Sequence, residues 1–185
     1  MRRLLVLLLL TTALHARTFR DEKCGVEFEL PRGWTAGNLG APDWRKHYLK
    51  DEQVRCYIGI RPPGWTRKAA DSDGFLRDYT IEILVADAPF DTLARISFFK
   101  TGEGWSTASR GMDTPAEELK THCCRGVRGS GWSRVWNKKG EIGSEIYEVA
   151  VLNDRKQHSA YFYVQLGDSY EADLRGVIKT FRFTR

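Results

Sequence analysis

The sequence predicts an α+β fold in which helices pack on an antiparallel β-sheet. Three observations support this fold class: short runs in the first half alternate apolar and polar residues, the second half holds a long hairpin, and a helical segment lies near the end. A sheet with one buried face produces such alternation, because successive side chains point to opposite faces of a strand.

The first half contains several predicted strands. Residues 24–30 alternate, a turn follows at residues 31–33, and Trp34 opens a second short strand. Residues 44–49 are a candidate third strand. Residues 54–60 alternate again and end at a Pro-Pro-Gly turn.

The middle of the chain mixes all three kinds of structure. Residues 66–74 are typical of a loop, residues 79–86 are a strand rich in β-branched side chains, and residues 105–109 are a candidate strand. Residues 91–100 have helical spacing of apolar side chains. The run at residues 113–118 is typical of a short helix start.

The second half predicts a hairpin and a terminal helix. Residues 132–137 and 145–152 form the hairpin, and residues 159–166 add a strand that is apolar on both faces. A helix then runs from residue 168 or 169 to about residue 180, with Leu174, Val177 and Ile178 facing inward. Residues 181–183 form a last short strand.

Residues 1–16 have the layout of a secretory signal peptide. Arg2 and Arg3 precede an unbroken apolar run at residues 4–10, and Ala16 is a small residue suited to cleavage. The run is too short to cross a bilayer, which takes about 20 residues. We therefore expect cleavage after Ala16, a secreted or periplasmic protein, and no transmembrane segment in the mature chain.

Residues 17–185 are long enough for a single exported domain with its own core. Loss of Arg2 and Arg3 lowers the formal net charge from +5 to +3. Basic residues are densest between Arg125 and Lys139, and the pattern is typical of a solvated hairpin face. A nucleic-acid-binding domain is usually strongly basic and carries a recognisable module, so no nucleic-acid partner is expected.

Four cysteines remain in the predicted mature chain: Cys24, Cys56, Cys123 and Cys124. An even number in an exported chain indicates disulfides, and four cysteines allow three pairings. Adjacent Cα atoms lie about 3.8 Å apart whereas disulfides usually span about 4.4–6.8 Å, so a bond between Cys123 and Cys124 is disfavoured. We expect Cys123 and Cys124 to bond one each to Cys24 and Cys56. A Cys24–Cys56 bond stays an alternative, since both share the inward phase of their strands.

No catalytic, cofactor or metal site is predicted. His122 and its two neighbouring cysteines cannot all face one metal ion, there is no Cys-x-x-Cys redox motif, and His122 is a poor base for Cys123 in a regular strand. The DSDG run at residues 71–74 lacks the remaining ligands of a calcium loop and is typical of a turn.

Two segments carry a family resemblance: VEFELPRGW at residues 26–34 and LRGVIKTFRF at residues 174–183. A strand that ends in Pro-x-Gly-Trp, with a last helix that runs into an aromatic-rich strand, resembles the Mog1/PsbP-like fold, a group that includes DcrB-like exported proteins. The resemblance implies a binding scaffold over most of residues 24–183. No binding residue of that group maps onto this sequence, and no lipid-attachment cysteine stands at the cleavage point.

The sequence therefore favours an exported, non-enzymatic binding or accessory module. An unknown protein or a small ligand is the expected partner, held in a groove between sheet and helices. The alternatives are an exported hydrolase whose site assembles only in three dimensions, and a purely structural protein. Convergent polar groups with shifted pKa values are the feature that would favour the enzyme.

Overall fold

The structure is a computed structural model that describes residues 17–40, 42–65, 81–102, 104–109, 112–137, 140–166 and 171–184. Its strands, in chain order, are β1 (Arg17–Asp21), β2 (Val26–Leu30), β3 (Thr35–Asn38), β4 (Val54–Arg61), β5 (Ile81–Asp87), β6 (Phe98–Thr101), β7 (Gly104–Ser109), β8 (Met112–Pro115), β9 (Glu117–Lys120), β10 (Arg125–Asn137), β11 (Gly140–Asn153), β12 (His158–Leu166) and β13 (Arg182–Phe183). Its α-helices are α1 (Phe90–Ala94) and α2 (Glu171–Thr180). The predicted signal peptide, the loop at residues 66–74 and the DSDG turn lie outside the described residues.

A seven-stranded antiparallel sheet, in the order β3-β4-β5-β12-β11-β10-β9, organises the molecule. One face packs against α2 and a small sheet of β1, β2 and β13; the core on this side includes Phe28, Phe162 and Phe181. The other face is covered by α1 and by the sheet β6-β7-β8, over Leu84 and Val149. The fold is thus mainly antiparallel β-structure with minor helices, which agrees with the predicted fold class only in its broad form.

Most of the predicted strands are present. The alternating runs become β2 and β4, the strand at residues 79–86 becomes β5 over its described part, and the candidate at residues 105–109 becomes β7. The hairpin is confirmed and is longer than predicted, because β10 and β11 pair from Arg125 and Asn153 outward. The inward face of α2 is also confirmed, since Leu174, Val177 and Ile178 are buried.

Three local predictions are wrong. The candidate strand at residues 44–49 is not extended: residues 44–47 belong to a 3-10 helix, Asp43–His47, in which the Arg45 guanidinium donates to Pro42 O at 2.9 Å. The predicted helix at residues 91–100 ends at Ala94, and Phe98 begins β6 and packs in the same core as Leu93 and Ala94. The predicted helix start at residues 113–118 is extended instead, in β8 and β9.

The favoured cysteine pairing is also wrong. The structure bonds Cys24 to Cys56 and Cys123 to Cys124, with Cα–Cα distances of 5.5 Å and 3.7 Å. Cys24 and Cys56 face each other across the core, within the usual span of a disulfide. Cys123 and Cys124 lie in the turn between β9 and β10, where the alternation of a regular strand does not apply.

Candidate functional site

A cleft of about 590 Å³ opens at one corner of the central sheet, where β9 ends, β10 begins and β11 ends. We call it the first cleft. Strand residues line its base, and α1 and β7 contribute aromatic side chains. It is lined by Phe90, Trp105, Glu118, Leu119, Lys120, Arg125, Gly126, Val127, Asn153 and Arg155. A volume of this size is typical of sites for small molecules.

Three cationic side chains converge on the first cleft from adjacent segments of chain. Lys120 of β9 pairs with Arg125 of β10, and Arg125 pairs with Asn153 of β11. Arg155 lies in the loop that follows Asn153. All three basic residues are exposed, and within the described ranges none of them forms an ion pair. Because Glu118 is the only acidic residue among the described residues of the lining, the cleft carries an excess of positive charge.

An aromatic pair forms the opposite side of the first cleft. The rings of Phe90 and Trp105 meet edge to face, with centroids 5.6 Å apart and an interplanar angle of 79°. Lys100 Nζ lies 5.1 Å from the Trp105 ring centroid and 2.7 Å from Asp91 Oδ2. These contacts hold an apolar surface in place beside the three cations.

The loop between β11 and β12 holds Arg155 in an unusual backbone conformation. Its φ of 67° lies in the left-handed region, which costs a residue with a side chain about 1 kcal/mol or more. The Arg155 N–H donates to Asn153 Oδ1 at 2.8 Å, and the Asn153 amide donates to His158 O and Ser159 Oγ, each at 3.0 Å. Asn153 therefore uses both ends of its side chain to fix the loop that presents Arg155.

Gly126 allows β10 and β11 to approach closely beneath the first cleft. A Cβ atom on this residue would lie 1.8 Å from Val151 O and 2.8 Å from Val151 C. Real side chains do not make such contacts with backbone, so a larger residue would force the two strands apart. The spacing of the base of the cleft therefore depends on glycine at this position.

The turn between β9 and β10 carries the adjacent disulfide. The Thr121 N–H donates to Cys124 O at 2.9 Å, which closes the turn, and Cys123 Sγ lies 3.3 Å from Phe181 O. Cys124 is buried in the core beneath α2. The disulfide thus sits directly between Lys120 and Arg125, although neither cysteine lines the first cleft.

His158 is engaged at both ring nitrogens. Nδ1 lies 2.8 Å from Asp154 Oδ2, and Nε2 lies 2.9 Å from an Arg55 guanidinium nitrogen. Since a guanidinium only donates, Nε2 accepts and the Nδ1 proton is donated to Asp154. Arg55 Nε is itself 2.6 Å from Asp87 Oδ1. This cluster ties β4, β5 and the β11–β12 loop together.

Buried tyrosines occupy the face of the sheet that α1 and β6 cover. The Tyr57 hydroxyl donates to Glu82, and the Tyr161 hydroxyl lies 2.8 Å from Ser97 Oγ. Burial, and then the nearby Glu82 carboxylate, raise the pKa of Tyr57 far above its usual value. Burial also raises the pKa of Tyr161, against the lowering effect of its bond with Ser97. Both phenols therefore remain uncharged at ordinary pH.

The residues singled out in the sequence lie apart from the first cleft or beside it. Cys24 and Cys56 are in the core, Cys123 and Cys124 are in the adjoining turn, and Ala16 lies outside the described residues. Sequence reasoning noted a basic stretch that begins at Arg125 but did not connect it to the other two cations or to Trp105. No local pattern joins positions 105, 120, 125 and 155, because the sheet topology alone brings them together.

In the described part of the chain, no helix is long and apolar enough to cross a bilayer. No three His, Cys, Asp or Glu side chains within it are grouped so that they could hold a metal ion.

No family model matches the chain, and no curated protein matches it. The solution structure of cyanobacterial PsbP (CyanoP) from Synechocystis sp. PCC 6803 is similar over 94% of this chain and 95% of that chain, with 11% sequence identity and a TM-score of 0.44. An overlap this loose does not establish a shared fold, so the Mog1/PsbP-like fold stays a prediction.

Proposed function

We propose that the protein is an exported binding or accessory module that holds an anionic ligand in the first cleft. The observation that carries the proposal is the convergence of Lys120, Arg125 and Arg155, without ion-pair partners in the described structure, beside the Phe90–Trp105 surface. Neighbouring like charges repel each other, and an anion placed between them relieves that repulsion while it forms charge-assisted hydrogen bonds.

Three other arginines of the molecule form ion pairs within the fold. Arg45, Arg55 and Arg128 each contact a carboxylate, at 2.5 Å, 2.6 Å and 2.5 Å respectively, and each is largely shielded from solvent. Those ion pairs join elements of the fold. The N–H groups of the three cations of the first cleft are exposed to solvent, as expected of side chains that bind a ligand.

Export is part of the proposal. The signal-like layout of residues 1–16 supports it, and disulfides persist mainly in oxidising compartments outside the cytosol. We therefore propose that both disulfides are formed in the mature protein and that residues 17–185 function in the periplasm or outside the cell.

The hydrolase alternative receives less support from the described residues. His158 is the histidine with a carboxylate at one ring nitrogen, as in a catalytic pair, yet its other nitrogen already accepts from Arg55. A general base needs a free lone pair directed at the substrate. The His158 cluster is therefore better suited to joining strands than to proton transfer.

Calorimetric titration with 1-naphthyl phosphate tests the proposal, because this probe combines an anion with an apolar ring. We expect saturable binding, weakened about tenfold by Arg125→Gln through the loss of one charged hydrogen bond. Trp105→Ala should also weaken it. Arg32→Gln is the matched control, since Arg32 is exposed and lines a cavity that shares no residue with the first cleft. Equal binding by the Arg125 and Arg32 variants would refute the proposed site.

A further inference from the structure

A second cleft adjoins the first on the other side of β9. It has a volume of about 350 Å³ and includes Leu119, Lys120, His122, Ile178 and Lys179 in its lining. Leu119 and Lys120 line both clefts, so the two clefts meet at the edge strand β9 and lie on opposite faces of the central sheet. The turn that holds the adjacent disulfide lies at the end of this strand.

The second cleft is also cationic. Lys120, Arg128, Arg175 and Lys179 contribute positive charge, and among the described residues no carboxylate lines this cleft. Arg128 is already bound to Glu117 and Glu148. Lys179, in the last turn of α2, is exposed and forms no ion pair with the described residues. Lys179 therefore extends the row of available cations beyond those of the first cleft.

The row of cations is longer than a single small anion. Lys120 and Arg125 occupy neighbouring strands, which are about 4.8 Å apart, and Arg155 follows the next strand, whose Asn153 pairs with Arg125, so the three charges are spread over more than one strand spacing. Lys179 lies beyond Lys120 on the far side of β9. A ligand that engages all of them must be elongated and must carry several anionic groups.

We infer that the ligand is an acidic polysaccharide whose chain passes over β9 and occupies both clefts, an inference that rests on the proposed anion site. Cations and apolar side chains alternate along the surface: Phe90 and Trp105 in the first cleft, then Lys120, then Leu119 and Ile178 in the second. Sugar rings with apolar faces, each bearing one carboxylate or sulfate, match this alternation of apolar contact and charge.

Two other classes of polyanion fit less well. An acidic peptide would add to the free edge of the sheet, but β9 has only four residues, which leaves few backbone groups for such pairing. A nucleic-acid-binding domain is usually strongly basic, whereas residues 17–185 carry a formal net charge of only +3. These classes serve as competitors in the test.

The test measures the affinity of the purified protein for galacturonic acid oligomers of two and eight units by calorimetry. We expect the octamer to bind about tenfold more tightly than the dimer, because the second cleft adds contacts without a second association cost. Lys179→Gln should weaken the octamer about fivefold, as expected for the loss of one exposed charge contact. It should leave the dimer and 1-naphthyl phosphate unchanged. Arg125→Gln should weaken all three ligands, and Arg95→Gln, at an exposed position that lines neither cleft, should weaken none.

Each contrary result overturns a defined step. Equal affinity for dimer and octamer, or an octamer insensitive to Lys179→Gln, would overturn the elongated ligand while 1-naphthyl phosphate still reports the first cleft. Tighter binding of an eight-residue glutamate peptide or an eight-nucleotide single strand would overturn the polysaccharide class. Failure of 1-naphthyl phosphate to respond to Arg125→Gln would refute the proposed site itself, independently of oligomer length.

Discussion

The two disulfides occupy contrasting environments. Cys24–Cys56 joins residues 32 positions apart, and both side chains are buried between β4 and the small sheet that contains β2. Cys123–Cys124 joins sequence neighbours within a single turn, and Cys123 is only partly buried. The first cross-link connects two layers of the fold, whereas the second connects nothing beyond its own turn.

This difference separates stability from site geometry. A disulfide restricts the unfolded chain in proportion to the logarithm of the loop that it closes, so a bond between neighbours removes little conformational freedom. Its local effect is greater, because Lys120 and Arg125 pair immediately before and after the turn. We therefore expect the first disulfide to determine stability and the second to determine how the cations of the first cleft are presented.

The largest expected effect is the removal of Cys24–Cys56 by alanine substitution at both positions. For a loop of this length the chain-entropy relation gives a loss of roughly 4 kcal/mol in the free energy of unfolding. Urea denaturation monitored by tryptophan fluorescence measures it. At temperatures where the variant is folded, 1-naphthyl phosphate binding should be unchanged. A large loss of affinity in the folded variant would show that the two roles are not separable.

A second prediction concerns the strand that leaves the adjacent disulfide. Gly126→Ala places a methyl group against the backbone of Val151 and should cost about 3 kcal/mol, near the upper end for overpacking. Gly37→Ala is the matched control, because an added Cβ there meets nothing within 4 Å. Both variants are compared by urea denaturation. Equal stability of the two would mean that β10 and β11 are not held as closely as the structure indicates.

Removal of Cys123–Cys124 by alanine substitution should have a smaller effect on stability. The chain-entropy relation gives about 1 kcal/mol for so short a loop. Affinity for 1-naphthyl phosphate should fall about threefold, because Lys120 and Arg125 must then be ordered on binding. Calorimetry and urea denaturation of the same preparation measure both quantities. A stability loss as large as that of the Cys24–Cys56 variant would break the contrast between the two disulfides.

The sequence was sufficient for those elements whose signal is local. Alternation identified β2 and β4, and the terminal helix showed its apolar face directly. Residues 91–100 were predicted wrongly because their apolar side chains have helical spacing. The helix nevertheless ends before Phe98, which begins β6. The cysteine pairing failed because the short Cα–Cα distance of sequence neighbours was taken to disfavour a bond that the turn between β9 and β10 accommodates. The first cleft was beyond reach, since its cations become neighbours only through the pairing of β9, β10 and β11.

Tyr57, the residue after Cys56, provides the smallest predicted effect and distinguishes the two faces of β4. Cys56 faces the core on the α2 side of the sheet, whereas Tyr57 faces the core on the α1 side and donates to Glu82. Because its pKa is raised in the folded state, the stabilisation from the protonated phenol is complete below pH 10, the usual tyrosine pKa, and declines at higher pH as the unfolded state ionises. Tyr57→Phe should cost about 1 kcal/mol at pH 8.5 through the lost hydrogen bond. That cost should shrink by about 0.8 kcal/mol at pH 10.5, since phenylalanine has no proton to lose.

Urea denaturation at the two pH values measures the change, with Tyr48→Phe, at an exposed tyrosine, as the control. A cost that stays constant or grows with pH would mean that the Tyr57 phenol ionises as readily in the folded protein as in the unfolded chain.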